Sequence, residues 1–129
     1  MTIQTVLRKL QAQETQIVAE KGRFNLFALF LRDNAPANKW DLLVSADWAQ
    51  QDKYAAIRYL AERLQSTLTP EELVALARIV VIRKENPALL EIYRQIQVEH
   101  GCVEMHHASF FGHDINHAYF ISSQSSSTH

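Results

Sequence analysis

The sequence predicts a single α/β domain, a sandwich in which helices pack against a five-stranded mixed β-sheet. Three observations support this class. Helix-like and strand-like patterns alternate along the chain, the β-branched residues at 79–82 are apolar on both faces of a strand, and proline-capped helix starts lie before and after them. A strand covered on both faces has this pattern, so we place residues 79–82 at the centre of the sheet. An α+β arrangement of the same elements is the alternative.

The composition is that of an ordinary folded domain. The 129 residues fit one domain, which we place at residues 1–121, followed by a polar, serine-rich tail at 122–129. A net charge of −1, from 13 basic and 14 acidic side chains without a cluster, argues against a nucleic-acid-binding protein. The single Cys102, and the lack of a long apolar run or a signal-peptide pattern, predict a cytoplasmic protein that binds no membrane.

The N-terminal residues have the spacing of a helix, which we place from Thr2 to Lys21, with Gly22 as its stop. Its apolar stripe is narrow and is interrupted by Gln13 and Glu14. Such a stripe favours a peripheral helix, or one that contacts a partner. The apolar members of the stripe are Ile3, Val6, Leu7, Leu10, Ile17 and Val18.

Two apolar runs follow, at 24–31 and 39–45, and a turn-rich segment at 33–38 joins them. This pattern predicts an antiparallel hairpin. The first run has one polar residue among eight, so we expect a central strand. The second alternates apolar and polar residues at its start, so we expect it to be covered on one face.

The middle of the chain predicts a helix, a short helix and a strand. Asp47 or Asp52 caps the first helix, whose apolar stripe includes Leu60 and Leu64. Thr69 and Glu72 form a capping box that opens a short helix, and this helix leads into the strand at 79–82. If that strand is parallel to the preceding one, the crossover between them should be right-handed.

The last third predicts one helix and two strands. Pro87 opens the helix, which runs to about His100 and is stopped by Gly101. Strands are expected at 102–107 and 117–121, with a long loop between them. The predicted order is helix, strand, strand, helix, short helix, strand, helix, strand, strand, with three main helices and one short helix.

Histidines are the compositional anomaly, because five of the six lie between His100 and His117. If the terminal strands pair with His107 opposite His117, two imidazoles meet at the mouth of the loop, and His113 is the third candidate ligand. Zinc or a similar divalent ion binds such a set. The alternative is that these are surface and loop residues that are merely close in sequence, since their spacing matches no established metal motif.

Other catalytic patterns are weak. On a strand, Cys102 and His106 would be about 13 Å apart, too far for a nucleophile and its base. Asp41 and Asp47 resemble a metal-nuclease layout only loosely, because the strand that should add an acid and a lysine offers arginines. Phosphate loops and nucleophile elbows are absent from the sequence. These observations favour a non-catalytic domain over an enzyme, with no cofactor expected other than a zinc-like ion.

Two apolar features indicate a partner. Leu7 and Leu10 lie on the narrow stripe of the first helix, and Phe110 and Phe111 stand in the predicted loop. A small domain covers such features by meeting a copy of itself or another protein, and a two-fold dimer is the commonest solution. The sequence therefore predicts a small binding or interaction domain that acts through a homodimer or a protein partner. A metal-dependent hydrolase or nuclease with a histidine-rich site is the alternative.

Overall fold

The structure, a computed structural model, describes residues 3–32 and 39–124. It confirms the predicted α/β class with a five-stranded mixed sheet. The predicted loop at 33–38 and the end of the tail, 125–129, lie outside the described residues. The elements are α1 Ile3–Lys21, β1 Leu26–Arg32, β2 Trp40–Ser45, α2 Asp47–Gln51, α3 Lys53–Thr67, α4 Pro70–Val74, β3 Leu76–Val81, α5 Pro87–Gln95, β4 Val103–Phe110 and β5 His113–Ser123.

The strands lie in the order β3-β2-β1-β5-β4, so β1 is central, as predicted. Strand β2 pairs antiparallel with β1 and parallel with β3, and β5 pairs antiparallel with both β1 and β4. The predicted β1–β2 hairpin is confirmed. The prediction that β2 is covered on one face is wrong, because all six of its residues are buried. Its polar Asp41 is held by ion pairs with Arg32 and Arg78.

The strand predicted at the centre of the sheet lies at its edge. Among the described strands β3 pairs with β2 alone, and its six residues are all exposed or half-buried. Ile79 and Val81 pack toward one layer of helices and Val80 toward the other. The apolar pattern therefore correctly predicted that both faces of β3 contact apolar side chains. It did not indicate whether β3 has a neighbouring strand on both sides within the sheet.

The sheet separates two hydrophobic cores, because alternate residues of each strand point to opposite faces. On one face α1 and α3 contribute buried leucines such as Leu10 and Leu60. On the other face α5 contributes Leu89 and Ile92. Among the described helices, none combines the length and the hydropathy that crossing a bilayer requires.

Helix α1 belongs to the core, which corrects the prediction of a peripheral or partner-binding helix. Leu7 is 5% exposed and Leu10 is fully buried. The two polar residues that were expected to interrupt the stripe are also buried, Gln13 at 8% and Glu14 at 0% exposure. The Glu14 carboxylate accepts a hydrogen bond from Ser122 Oγ at 2.8 Å and contacts His100 Nδ1 at 2.7 Å. The buried stripe is therefore continuous. Ser122 and His100 satisfy Glu14 within it, whereas Gln13 Oε1 has no hydrogen-bond partner among the described residues.

The helix starts follow the predicted capping chemistry. Of the two aspartates proposed as caps, only Asp52 is one, because it caps α3 by accepting a hydrogen bond from the Ala55 N–H at 3.1 Å. Asp47 is instead the first residue of α2, whose N-cap position is held by Ala46 without a side-chain cap hydrogen bond. The described part of the chain thus has one short helix more than predicted. The capping box of Thr69 and Glu72 is present at α4. Helix α5 ends earlier than expected, at Gln95.

The C-terminal strands are longer than predicted, and the expected long loop at 108–116 is wrong. Strand β4 continues to Phe110 and β5 begins at His113, so only Phe111 and Gly112 connect them. Both have positive φ, +57° and +75°, as the two central residues of a type I′ hairpin turn do. At its other end β5 extends to Ser123, two residues into the predicted tail.

Candidate metal centre

The pairing of β4 with β5 determines which histidines meet. His106 lies opposite His117, and Glu104 lies opposite Tyr119. The predicted pairing of His107 with His117 is therefore wrong by one residue. Successive side chains on a strand point to opposite faces. A shift of one residue in the pairing therefore changes which β4 side chains share a face with His117. It places Glu104 and His106 beside His117.

These side chains form a cluster on the face of the sheet that carries α1. His117 Nε2 lies 2.5 Å from Glu104 Oε2, and His106 Nε2 lies 3.1 Å from the same oxygen. The two imidazole rings stack, with centroids 4.1 Å apart and planes inclined by 23°. One ligand atom from each of Glu104, His106 and His117 lies within 4.8 Å of the other two. We call these three residues the hairpin triad.

Electrostatics keep the Glu104 carboxylate ionised. The hydrogen bond from His117 is the main cause that lowers the pKa of Glu104, and the charges of His117 and His106 act in the same direction. Tyr119 Oη donates a longer hydrogen bond to the same carboxylate oxygen, at 3.4 Å. Burial, followed by the Glu104 charge, raises the pKa of Tyr119, so this phenol stays protonated as a donor.

An aromatic wall supports the triad from inside. The Trp40 ring lies 5.6 Å from the His117 ring and 5.6 Å from the Tyr119 ring, between centroids. His117 is only 20% exposed at its side chain, whereas Glu104 and His106 are about half exposed, at 47% and 59%. The triad is therefore fixed on its inner side and open to solvent on its outer side.

Two of the separations between ligand atoms in the triad are close to those of a metal site. With bonds of about 2.0–2.2 Å, the ligand atoms of a tetrahedral site are about 3.3 Å apart. The Glu104–His106 contact of 3.1 Å is already near this value. The Glu104–His117 contact of 2.5 Å would open by less than about 1 Å as the ion replaces the hydrogen bond.

The second predicted ligand, His107, lies outside the triad. His107 is exposed, with a φ of +55° inside β4, and its ring centroid is 6.3 Å from that of His106. His113 begins β5, and its side chain lies outside the described part of the structure. His100 contacts the buried Glu14. Of the three histidines predicted as ligands, the structure places only His117 in the triad.

Phe110 and Phe111, predicted as partner anchors, fold onto the sheet of their own chain. Phe110 is 4% exposed and lies 5.8 Å from the Phe30 ring. Phe111 is half-buried and lies 6.2 Å from the same ring. Both therefore line the second core of the monomer.

The weaker catalytic patterns are not assembled. Desolvation of the thiol, with a smaller contribution from Glu104, raises the pKa of Cys102, which disfavours the nucleophilic thiolate. Asp41 is neutralised by two arginines near the start of β2, whereas Asp47 follows the end of that strand and pairs with Lys84. The two aspartates therefore do not converge on one ion.

Comparison with known proteins finds no family model, no curated protein and no solved structure that matches this chain. The geometry of the hairpin triad therefore carries the functional argument.

Proposed function

We propose that the protein binds a divalent transition-metal ion, of which zinc is the type case, through the hairpin triad. One observation carries this proposal: Glu104, His106 and His117 bring three potential ligand atoms within 4.8 Å of one another on adjacent strands. The pairing of β4 with β5 fixes the backbone beneath all three residues, so little ordering is needed when the ion binds.

The donor set favours zinc-like ions over alkaline-earth ions. Two imidazole nitrogens and one carboxylate oxygen suit Zn²⁺, Fe²⁺, Co²⁺ and Ni²⁺, whereas Mg²⁺ and Ca²⁺ prefer oxygen donors. We therefore expect Mg²⁺ to compete poorly even when present in large excess.

The number of ligands bears on the chemistry that the ion would supply. Structural zinc sites are closed by four protein ligands, whereas catalytic sites use three and keep a position for water or substrate. Three protein ligands on an exposed face match the second case. Such an ion activates water for hydrolysis, which is the chemistry that the metal-dependent hydrolase alternative requires.

Isothermal titration of Zn²⁺ into protein without a His-tag tests the proposal. We expect one site per chain, lost progressively as the pH falls because the imidazole ligands must be deprotonated to bind the ion. His117→Ala removes one of three ligands and should weaken binding more than about tenfold, at least the effect of losing an outer-shell partner.

His107→Ala is the matched control, since His107 follows His106 in the sequence but lies outside the triad. This variant should bind Zn²⁺ as the unchanged protein does. Equal losses in the two variants would indicate dispersed histidine binding, and unchanged affinity in His117→Ala would show that the triad is not the site.

A further inference from the structure

The outer edge of β3 presents unpaired backbone groups. The Ile82 N–H donates to Val44 O at 2.8 Å, and the parallel register pairs Val44 with Val81. In a parallel ladder, alternate residues direct their N–H and C=O groups to the same neighbour. The groups of Arg78, Val80 and Ile82 therefore face β2. Those of Ala77, Ile79 and Val81 face away from the sheet, where no further strand lies among the described residues.

The two edges of the sheet differ in how they resist pairing. Strand β4, at one edge, carries the charged and polar Glu104 and His106 and has a positive φ at His107. Such features protect exposed edges from association. Strand β3, at the other edge, has one charged residue, Arg78, and otherwise apolar residues. Of the two edges, β3 is therefore the one suited to pairing.

Apolar grooves flank β3 on both faces. On the side of α3, a groove of about 230 Å³ is lined by residues that include Leu64, Leu76 and Ile79. On the side of α5, a pocket of about 150 Å³ is lined by residues that include Val80 and Phe111. A strand added at this edge, if it were apolar on both of its own faces, would extend both cores.

We propose that the added strand is β3 of a second copy of this chain, antiparallel to the first, so that the two sheets become continuous. A two-fold axis at Val80 pairs Ile79 with Val81 of the second copy through the outward backbone groups. The two Arg78 side chains then lie four residues apart, about 13 Å along the strand, and do not repel closely. An axis at Arg78 would place these like charges directly opposite each other, which is unfavourable.

A second copy fits this edge because β3 is complementary to itself. It is apolar on both faces, as the two grooves require. The charged residues that follow β3 are paired within the chain, Arg83 with Glu85 and Lys84 with Asp47. The ends of two antiparallel β3 strands would therefore approach each other without a net like-charge repulsion.

This interface replaces the predicted dimer through Leu7 and Leu10, whose side chains the monomer core already covers. It is independent of the proposed metal site, because the triad lies on β4 and β5 and β4 is the opposite edge of the sheet. A failure of either proposal would leave the other standing.

Sedimentation equilibrium at micromolar concentration should give twice the 14.8 kDa mass of one chain. Val81→Pro removes an outward N–H without removing a bond to β2, and edge strands tolerate proline. We expect this variant to sediment as a single chain. Val81→Thr, the matched control, keeps the N–H and the β-branched shape and should remain a dimer.

Hydrogen exchange gives a second measurement that needs no variant. In the dimer the amides of Ile79 and Val81 are bonded across the axis, so they should exchange slowly at high concentration and at least tenfold faster after dilution below the dissociation constant. A single-chain mass with fast exchange at both amides would overturn the proposal. A dimer that Val81→Pro leaves intact would overturn it as well.

Discussion

Replacing Leu10 by alanine is expected to lower the free energy of unfolding by about 3 kcal/mol, within the range measured for leucine truncation in protein cores. Leu10 is fully buried between α1 and the sheet, in the same cluster as Leu29, Leu42 and Leu60. The change removes apolar contacts and leaves a cavity that close-packed neighbours fill only in part. Chemical denaturation followed by circular dichroism measures the difference.

Leu90→Ala is the matched control, because Leu90 is 58% exposed on α5. It should change the free energy of unfolding by less than about 0.5 kcal/mol. The two variants also distinguish between two interpretations of α1, as a helix of the core and as a helix that binds a partner. If Leu10→Ala altered the sedimentation mass and left the unfolding midpoint unchanged, Leu10 would be an interface residue and its place in the core would be contradicted.

Replacing Glu14 by alanine is expected to lower the free energy of unfolding by about 2 kcal/mol, mainly because it leaves the buried Ser122 hydroxyl without its acceptor. Glu14 is fully buried. It joins α1 to β5 through Ser122 Oγ, and to the segment between α5 and β4 through His100 Nδ1. His100 is 38% exposed at its side chain, so water compensates part of its loss. Thermal unfolding at neutral pH measures the effect.

Two further variants isolate the cause. Glu14→Gln keeps an acceptor oxygen and nearly the same volume, so it should be less destabilising than alanine. Glu62→Ala removes a carboxylate from the exposed side of α3 and should have little effect. Equal, small effects at positions 14 and 62 would show that the buried carboxylate does not stabilise the fold.

The helices were the most predictable part of the fold, because their signals are local. Thr69 with Glu72, and Asn86 before Pro87, specify helix starts through contacts within four residues, and both caps are present. The β1–β2 hairpin was also predicted correctly, from two apolar runs joined by a turn-rich segment. Strand order depends instead on which edges meet, and the apolar run at 79–82 is the same whether its neighbour is a strand of this chain or solvent.

The buried stripe of α1 is hard to predict from its sequence for a related reason. A stripe that contains Gln13 and Glu14 looks interrupted when only hydrophobicity is counted. The residues that satisfy Glu14, His100 and Ser122, are more than 80 positions away in sequence. Burial of such a group follows from tertiary hydrogen bonds that no local pattern records.

Apolar patterning alone did not determine the register of the C-terminal hairpin. On β5, Ala118 and Phe120 on one face and Tyr119 and Ile121 on the other are all buried, so Met105 matches either Ala118 or Tyr119. The structure pairs Met105 with Ala118, and hence His106 with His117. A long loop was predicted because the two-residue turn at Phe111 and Gly112 has no asparagine or aspartate, the residues that usually precede glycine in such a positive-φ turn.

The most direct test of the metal-binding proposal is a crystal structure of the protein with Zn²⁺, using anomalous diffraction at the zinc absorption edge. The account predicts one strong peak per chain, about 2.0–2.2 Å from Glu104 Oε2, His106 Nε2 and His117 Nε2. A peak that is coordinated by His107 and His113, with Glu104 still hydrogen-bonded to His117, would contradict it.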